Sequence, residues 1–143
     1  MKSFHVLFTV CFILSSALSF AQKAVSPTDF QSLLNGRAAV QLIDVRTPGE
    51  YAGGHLEGSN NIDIRSAEFE KRLGELEKGQ TVFVYCLSGG RSAAAAKKMA
   101  SMGFSEVYDM KGGIMSWKRA GIPLVNASNK SAGISKEGYN DVI

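Results

Sequence analysis

The sequence predicts one α/β domain with an open, mostly parallel sheet flanked by helices. Short apolar runs typical of strands alternate with segments of helical periodicity, which is the pattern of parallel α/β folds. The run from Thr81 to Tyr85 is almost continuously apolar, as expected for the centre of a parallel sheet. The 143 residues, 45% of them hydrophobic and 20% charged, suffice for one such domain with a core but not for two.

Local signals predict each helix and strand in turn. Ser26 as N-cap, Pro27 at the first helical position and Asp29 in the first turn predict a helix, which ends at Asn35 and Gly36. The remaining predicted elements are a strand at 39–43 that runs into Asp44, a helical turn at 47–51, a helix at 66–76, the strand at 81–85, a helix at 91–102, a strand at 106–110 and a helix at 113–120.

The N-terminal segment has the features of an export signal. Lys2 precedes an apolar stretch at residues 6–14, and the small residues Ser19 and Ala21 predict cleavage after Ala21. An uncleaved membrane anchor is the alternative, but the apolar segment as a whole is marginal in length for spanning a bilayer. We therefore expect residues 1–21 to be a signal peptide. The mature protein is expected to be periplasmic or secreted, with no membrane attachment after cleavage.

The globular domain is expected at residues 22–124, and a polar tail at 125–143. The last ten residues, 134–143, predict a short and weakly held C-terminal helix after a polar linker. These ten residues match 25–34 in having a serine cap, then an aromatic, then two adjacent aliphatics. The similarity is either the remnant of a second module's entry helix or a chance likeness of two capped turns. We expect the protein to be a monomer.

Charge and cysteine content exclude several kinds of partner. The net charge is only +3 and no run of Lys or Arg occurs, so nucleic acid is not an expected partner. Loss of the signal removes Cys11, which leaves Cys86 as the sole cysteine and rules out an internal disulfide. Cys86 and His55 are too few soft ligands for a metal site, and no metal or other cofactor is expected. A lone thiol in an exported chain indicates a function; a buried, inert cysteine is the alternative.

Cys86 is the strongest functional candidate because of where it lies. It follows the predicted strand at 81–85 and opens a glycine-rich loop that leads into a helix. Backbone N–H groups in such a loop can point at one centre, and the start of the helix adds partial positive charge. A thiolate at that centre is stabilised, and its pKa is lowered. The predicted binding loop comprises Leu87, Ser88, Gly89, Gly90, Arg91 and Ser92.

Three segments resemble the rhodanese-like sulfurtransferase family, in the family's order, from about residue 26 to residue 123. They are 44–51 together with 54–62, then 85–92, then 112–123. The resemblance implies a small open α/β fold and a cysteine that cycles through a persulfide. It implies that Cys86 takes sulfur from a thiosulfate-like or persulfide donor and passes it to cyanide or a thiol, with a protein as a further candidate acceptor. Residues 87–91 would then form the cradle around the sulfur.

Other polar residues in these segments have open roles. Because an ionised thiol needs no general base, His55 is predicted to make a structural hydrogen bond. Asp44 is interpreted first as a structural ion-pair or cap partner that could orient Arg46 or the loop, and both residues are supporting site candidates. Arg91 either binds the donor's anionic end or pairs with a carboxylate and holds the loop. Trp117 is predicted to pack the last helix on the sheet.

Two features of the loop bear on alternative functions. Several family members place a basic residue directly after the cysteine, whereas this chain has Leu87. That change weakens attraction for the thiosulfate dianion and favours a more apolar persulfide or a protein partner. A related phosphatase or arsenate reductase is one rival, but such loops generally have five residues between cysteine and arginine, and this loop has four. A non-enzymatic sulfur-carrier or protein-binding module is the other rival.

Overall fold

Strands and helices alternate along the part of the chain that the computed structural model describes, residues 21–126. The predicted signal peptide up to residue 20 and the predicted helix at 134–143 lie outside the described residues. No helix of the described part is both long and apolar enough to span a membrane. The elements are β1 (Ala21–Val25), α1 (Pro27–Asn35), β2 (Val40–Asp44), α2 (Pro48–Ala52), β3 (Asn60–Asn61), α3 (Phe69–Gly74), β4 (Thr81–Tyr85), α4 (Gly90–Ser101), β5 (Glu106–Met110) and α5 (Gly113–Arg119).

The five strands form one sheet in which each strand runs parallel to the neighbours it pairs with. Their spatial order is β1-β5-β4-β2-β3, so β4 is central and has β5 and β2 on either side. Residues 82–85 of β4 are fully buried, which agrees with the apolar run that predicts a central strand. The expected open, parallel α/β fold is confirmed, and the carboxyl ends of its strands share one edge of the sheet.

The sequence does not predict the two strands at the edges of the sheet. β1 pairs with β5 along its whole length, from Ala21 opposite Glu106 to Val25 opposite Met110. β3 has only two residues, and it pairs with the end of β2. Neither segment has the run of β-branched or aromatic residues that identifies a strand on its own. Both edge strands are therefore defined by the strand beside them and not by their own sequence.

The helix α3 is shorter than the predicted range of 66–76. Turns flank it, with the amide of Phe69 donating to Ser66 O over 3.1 Å and the amide of Leu76 donating to Leu73 O over 3.1 Å. Phe69 and Leu73 are buried, and Leu76 is partly buried against the same core. The helical spacing of apolar residues thus marks the buried face, which continues past the helical hydrogen bonds.

The side chains of β4 and the residue after it alternate between two cores, one on each face of the sheet. Val82, Val84 and Cys86 belong to the core that includes the buried face of α4. Phe83 and Tyr85 belong to the core that includes buried residues of α1 and α5. Because successive residues of an extended strand point to opposite faces, this alternation puts Cys86 on the α4 side of the sheet.

Trp117 packs α5 against the sheet, as the sequence predicts. Its ring is edge-on to that of Phe30 in α1, with a centroid separation of 6.3 Å. The indole Nε1 donates a hydrogen bond to Pro123 O over 3.0 Å. This packing holds α5 on the sheet, and the first residues of α5 contact the loop after β4.

Candidate active site

Cys86 lies directly after the central strand, at the edge of the sheet where α/β folds bind their ligands. The residue is 1% exposed, and its thiol is free. The amide of Gly89 donates a hydrogen bond to Sγ over 3.0 Å. Gly89 has a φ of +105°, a backbone conformation that glycine adopts readily and other residues resist. The glycine therefore lets the loop turn back and direct an amide at the sulfur.

Two opposing effects set the pKa of the Cys86 thiol, and the net result is a lowered pKa. Burial is the largest single effect, and it raises the pKa because it disfavours the charged form. Hydrogen bonds from the Ser92 hydroxyl and from the amides of Ser92, Gly89 and Ser88 favour the thiolate and together outweigh burial. The site thus stabilises a negative sulfur that is shielded from bulk water.

Only some of the six predicted loop residues lie where they lower the pKa of the Cys86 thiol. The amide of Gly89 donates to Cys86 Sγ, and Ser88 and Ser92 lie close enough to lower the pKa of the thiol. Gly90 begins α4, so the helix starts one residue earlier than predicted. The Leu87 side chain is exposed, and the Arg91 side chain is paired with a carboxylate. The predicted cradle is therefore built from amides and one hydroxyl.

The start of α5 is hydrogen-bonded to the backbone of the loop that carries Cys86. The amide of Ile114 donates to Cys86 O over 2.8 Å, and the amide of Met115 donates to Leu87 O over 3.1 Å. Gly113, with a φ of +57°, lies so close that a Cβ there would overlap the carbonyl groups of Cys86 and Leu87. The Gly-Gly pair of the third sequence segment thus permits the contact that fixes the cysteine backbone, a role that the sequence alone does not indicate.

The side chain of Arg91 pairs with Glu50, so the carboxylate alternative is the one observed. Its Nη1 and Nη2 donate to Glu50 Oε2 and Oε1 over 2.8 and 2.7 Å. This forked pair holds the pKa of Glu50 well below its usual range. Burial raises that pKa, whereas hydrogen bonds from the Thr47 amide and hydroxyl lower it further. Glu50 also closes a capping box with Thr47 at the start of α2. The pair therefore ties α2 to the first turn of α4.

Glu50 is a residue that sequence reasoning missed as part of the site. The spacing of Thr47 and Glu50 is a capping-box signature, which explains the helical turn. It does not indicate that Glu50 pairs with Arg91 of α4. Arg91 in turn lies close enough to Cys86 for the thiolate to raise the pKa of Arg91, an effect smaller than that of Glu50. The guanidinium thus adds positive charge near the sulfur, and the paired carboxylate of Glu50 opposes it.

Asp44 and Arg46 form the structural ion pair that the sequence predicts. Arg46 Nη2 lies 2.6 Å from Asp44 Oδ2, and its Nε donates to both carboxylate oxygens over 3.0 Å. Both residues are buried. Arg46 Nη2 also donates to Gly54 O over 2.7 Å. The pair therefore fixes the turn before His55 at the carboxyl end of β2, next to the central strand.

His55 makes the structural hydrogen bond predicted for it, together with a ring contact and a backbone bridge. Its Nδ1 lies 2.9 Å from Tyr51 O, and its ring stacks on that of Tyr51 with centroids 3.8 Å apart. Its backbone pairs with Val125 in an isolated bridge. Within residues 21–126, no three His, Cys, Asp or Glu side chains are grouped so as to hold a metal ion.

Leu87 and Met115 are the large apolar side chains exposed in the described part of the chain, at 38% and 46%. The backbones of the two residues are hydrogen-bonded, and both adjoin the Cys86 loop. Sequence reasoning found Leu87 and missed Met115, because in the sequence Met115 looks like one more apolar residue of a helix. Together they give an apolar border to the loop that carries the thiol.

Comparison with known proteins identifies the family of this chain. A family model described as the rhodanese-like domain matches residues 26–120. The central parallel sheet, the cysteine after its middle strand and the glycine-rich loop all lie within this range. The chain belongs to the rhodanese-like domain family, as its sequence resemblance implies.

The relatives include a protein named as a sulfurtransferase and one named as uncharacterized. The chain is 35% identical to the uncharacterized protein YqhL of Bacillus subtilis, over 66% of this chain and 71% of YqhL. It is also 35% identical to the thiosulfate sulfurtransferase GlpE of Ectopseudomonas mendocina, over 67% of this chain and 84% of GlpE. Among solved structures it is similar to a rhodanese-related protein from Thermoplasma volcanium, with 32% identity and a TM-score of 0.64 over 72% of this chain and 97% of that one. Membership of this family supports sulfur transfer as the general chemistry of the fold.

Proposed function

We propose that this protein is a sulfurtransferase of the rhodanese type, in which Cys86 carries sulfur as a persulfide. The main support is the position of Cys86, buried after the central strand and surrounded by loop hydrogen bonds that lower the pKa of its thiol. A thiolate is the nucleophilic form of cysteine, and a persulfide is also an anion. The same amides can therefore stabilise the group before and after sulfur is added.

The reaction needs two displacement steps and no cofactor. The Cys86 thiolate attacks the outer sulfur of thiosulfate, the S–S bond of the donor breaks, and sulfite leaves with the bonding electron pair. The acceptor then attacks the outer sulfur of the Cys86 persulfide, and the thiolate is released. Cyanide gives thiocyanate, whereas a thiol gives a persulfide that keeps the thiol's proton. Neither step requires a general base when the cysteine is already ionised.

The surroundings of the loop favour a donor with less charge than thiosulfate. The guanidinium of Arg91 is engaged by Glu50, and that of Arg46 is engaged by Asp44. The loop is bordered by the exposed Leu87 and Met115. A dianion gains little from such a border, while an organic persulfide can bury its apolar part there. In that case the outer sulfur is transferred and the donor leaves as a thiol that keeps the proton.

Two alternative functions, a phosphatase and a sulfur carrier, are distinguished from sulfur transfer by the activities that they would show. A phosphatase of related fold would hydrolyse an aryl phosphate, but four residues between Cys86 and Arg91 make a narrow anion pocket. A sulfur carrier would form the persulfide and pass it only to a partner protein, and the exposed apolar side chains of Leu87 and Met115 are compatible with that role. We propose that the protein also turns over small thiols and works as a monomer.

The deciding experiment is intact-mass analysis of the protein after incubation with thiosulfate or with an organic persulfide. The wild type is expected to gain one sulfur atom, and Cys86→Ser is expected to gain none. Subsequent addition of cyanide should remove the sulfur and release thiocyanate. No gain from either donor, together with hydrolysis of an aryl phosphate, would overturn the proposal. Persulfide formation without release to any small acceptor would favour the carrier.

We also propose that the protein acts outside the cytoplasm, because its N-terminal segment has the sequence features of an export signal. Cleavage after Ala21 would shorten β1 by its first residue and leave Gln22 to Val25 paired with β5. The test is N-terminal analysis of protein recovered from the periplasm or medium of a bacterial host. A mature N-terminus at Gln22 is expected. Recovery of a chain that begins at Met1 from the cytoplasm or membrane would contradict the proposal.

A further inference from the structure

Asp109 is a buried carboxyl group on the same face of the sheet as Cys86. It lies on β5 opposite Val84 of β4, and paired residues of parallel strands point to the same face. Val84 and Cys86 share the core beneath α4, so Asp109 also faces α4, one strand away from the thiol. The residue is only 4% exposed. Its burial raises the pKa of its carboxyl group.

The Oδ1 atom of Asp109 is the one buried side-chain polar atom in residues 21–126 that lacks a hydrogen-bond partner. An unpaired buried oxygen is costly, and native structures seldom keep one without a reason. The buried carboxylate of Asp44, by contrast, is paired with Arg46. Asp109 therefore invites a functional explanation.

Ser92 connects Asp109 to the thiol. It is fully buried in the first turn of α4, and its hydroxyl donates to Gly89 O over 3.2 Å. The hydroxyl also lies close enough to Cys86 and to Asp109 to lower the pKa of the thiol and that of the carboxyl group. A serine hydroxyl has a single proton to donate, so these acceptors compete for it.

We propose that Asp109 is a positioning residue for sulfur transfer, which acts by determining whether the Ser92 hydroxyl donates to the sulfur of Cys86. The inference rests on the proposed function. A protonated Asp109 can donate its own proton to Ser92 Oγ, which leaves the Ser92 proton for the thiolate or persulfide. An ionised Asp109 attracts the Ser92 proton and places a second negative charge behind the sulfur. Asp109 and Cys86 then titrate as a coupled pair.

The sign of this coupling follows from the charges around Asp109. Cys86 lies at the end of the neighbouring strand β4. Arg91 is next to Ser92 in the sequence, and its charge is paired with that of Glu50. As pH rises, ionisation of Asp109 disfavours the thiolate, and ionisation of the thiol in turn holds the proton on Asp109. The remaining charged groups of the adjoining elements are engaged elsewhere or exposed: Lys23 and Arg37 pair with Glu106, Lys98 pairs with Glu70, and Lys97 and Lys111 are exposed.

The first test is the pH dependence of Cys86 alkylation by iodoacetamide, which reports the thiolate and requires no sulfur transfer. Asp109→Asn keeps the size of the side chain and its ability to donate, but it cannot ionise. We expect its thiol pKa to fall by roughly one unit, a tenfold gain in thiolate fraction below the pKa, because the Ser92 hydroxyl no longer faces an ionised carboxylate and is left to donate to the thiolate. Glu106→Gln, on the same strand, is the matched control and is expected to leave the profile unchanged.

A double-mutant cycle tests whether the effect passes through Ser92. In a Ser92→Ala background, the shift caused by Asp109→Asn should fall to less than half, because the shared hydroxyl is gone. An undiminished shift would show a direct charge effect and would overturn the positioning role. Equal profiles for the wild type, Asp109→Asn and Glu106→Gln would also overturn it.

A second measurement does not depend on Asp109→Asn folding. The pKa of the Asp109 carboxyl group can be followed by NMR with carbon-labelled aspartate. Coupling is reciprocal, so the pKa of Asp109 should be lower in Cys86→Ser than in the wild type, where the thiolate opposes its ionisation. Equal values would contradict the proposal. Failure of sulfur transfer itself is detected separately, by the intact-mass experiment.

Discussion

The central strand β4 has a polar cluster at each end, and the two clusters are built in different ways. At the start of the strand, Arg37 donates to Thr81 Oγ1 and Glu106 Oε2 over 2.9 Å each and to Tyr108 OH over 3.1 Å. These side chains satisfy one another, and the ion pair is partly exposed. After its last residue, the sulfur of Cys86 is held mainly by backbone amides of a loop.

The difference shows what separates a structural cluster from a reactive one. In the Arg37 cluster, each charged group is hydrogen-bonded to other side chains, which can shift together with it. Few unpaired donors or acceptors therefore remain to bind a ligand. In the Cys86 loop, the backbone amide donors are fixed by the fold and cannot follow the charge. Fixed donors keep stabilising an anion while bonds form and break at the sulfur. Charged pairs at this end serve to hold the loop in place.

Among the substitutions that test this comparison, the largest loss of stability is expected at the buried Asp44–Arg46 pair. Asp44→Asn leaves the Arg46 guanidinium buried without its countercharge, and we expect a loss of about 3–5 kcal/mol in the free energy of unfolding. Urea denaturation measures it. The matched control is Glu68→Gln, which removes an exposed partner of Lys71 and should cost less than about 1 kcal/mol. Similar losses in both variants would contradict the role given to the buried pair.

The next largest effect is expected where α5 contacts the loop. Gly113→Ala adds a Cβ against the carbonyls of Cys86 and Leu87 at a positive φ. We expect a loss of about 2–4 kcal/mol in stability, and slower Cys86 alkylation because the loop must shift. Gly74→Ala, where a Cβ would meet nothing within 4 Å, is the control and should change neither. Unaltered alkylation in folded Gly113→Ala would show that α5 does not set the loop geometry.

Two glutamates allow a direct comparison of the clusters. Glu50→Gln and Glu106→Gln each remove a carboxylate that accepts from an arginine, and each should cost about 1 kcal/mol at neutral pH. Both carboxylates have lowered pKa values in the fold. Their contribution is therefore present above the unfolded pKa of about 4.3 and is lost as pH falls towards the folded value. Denaturation at several pH values should show both differences shrinking in acid.

Only the Glu50 substitution is expected to change the thiol. Glu50→Gln frees the charge of Arg91, which interacts with the Cys86 thiolate, so the pKa of the thiol should fall. Glu106→Gln should leave that pKa unchanged, because Glu106 belongs to the cluster at the opposite end of β4. An equal change in the alkylation profiles of both variants would break the distinction between the two clusters.

The smallest effect is expected at the border of the loop. Leu87→Lys places a positive charge beside the thiol, and kcat/KM for thiosulfate should rise about fivefold while that for an organic persulfide stays level or falls. The gain should decrease as salt is added. Met115→Leu, which keeps the border apolar, is the control. Equal changes for both donors would contradict the idea that Leu87 selects against a dianion.

The sequence predicts well where its signals are local. The β4 run, the Ser26 cap and the glycine-rich loop after Cys86 each have chemistry that acts within a few residues. β1 was missed because its strand character comes from pairing with β5, which is distant in the sequence. The link of Glu50 to Arg91 and the position of Asp109 behind Ser92 were missed for the same reason, since only the folded sheet brings these residues together.

The charge state of Cys86 is the property on which the sulfur-transfer proposal depends, and the pH dependence of its alkylation in the wild type measures it most directly. We predict a thiol pKa below the free value of about 8.5, with reaction in the folded protein and full loss in Cys86→Ser. A pKa at or above that value, or alkylation only after denaturation, would contradict the account.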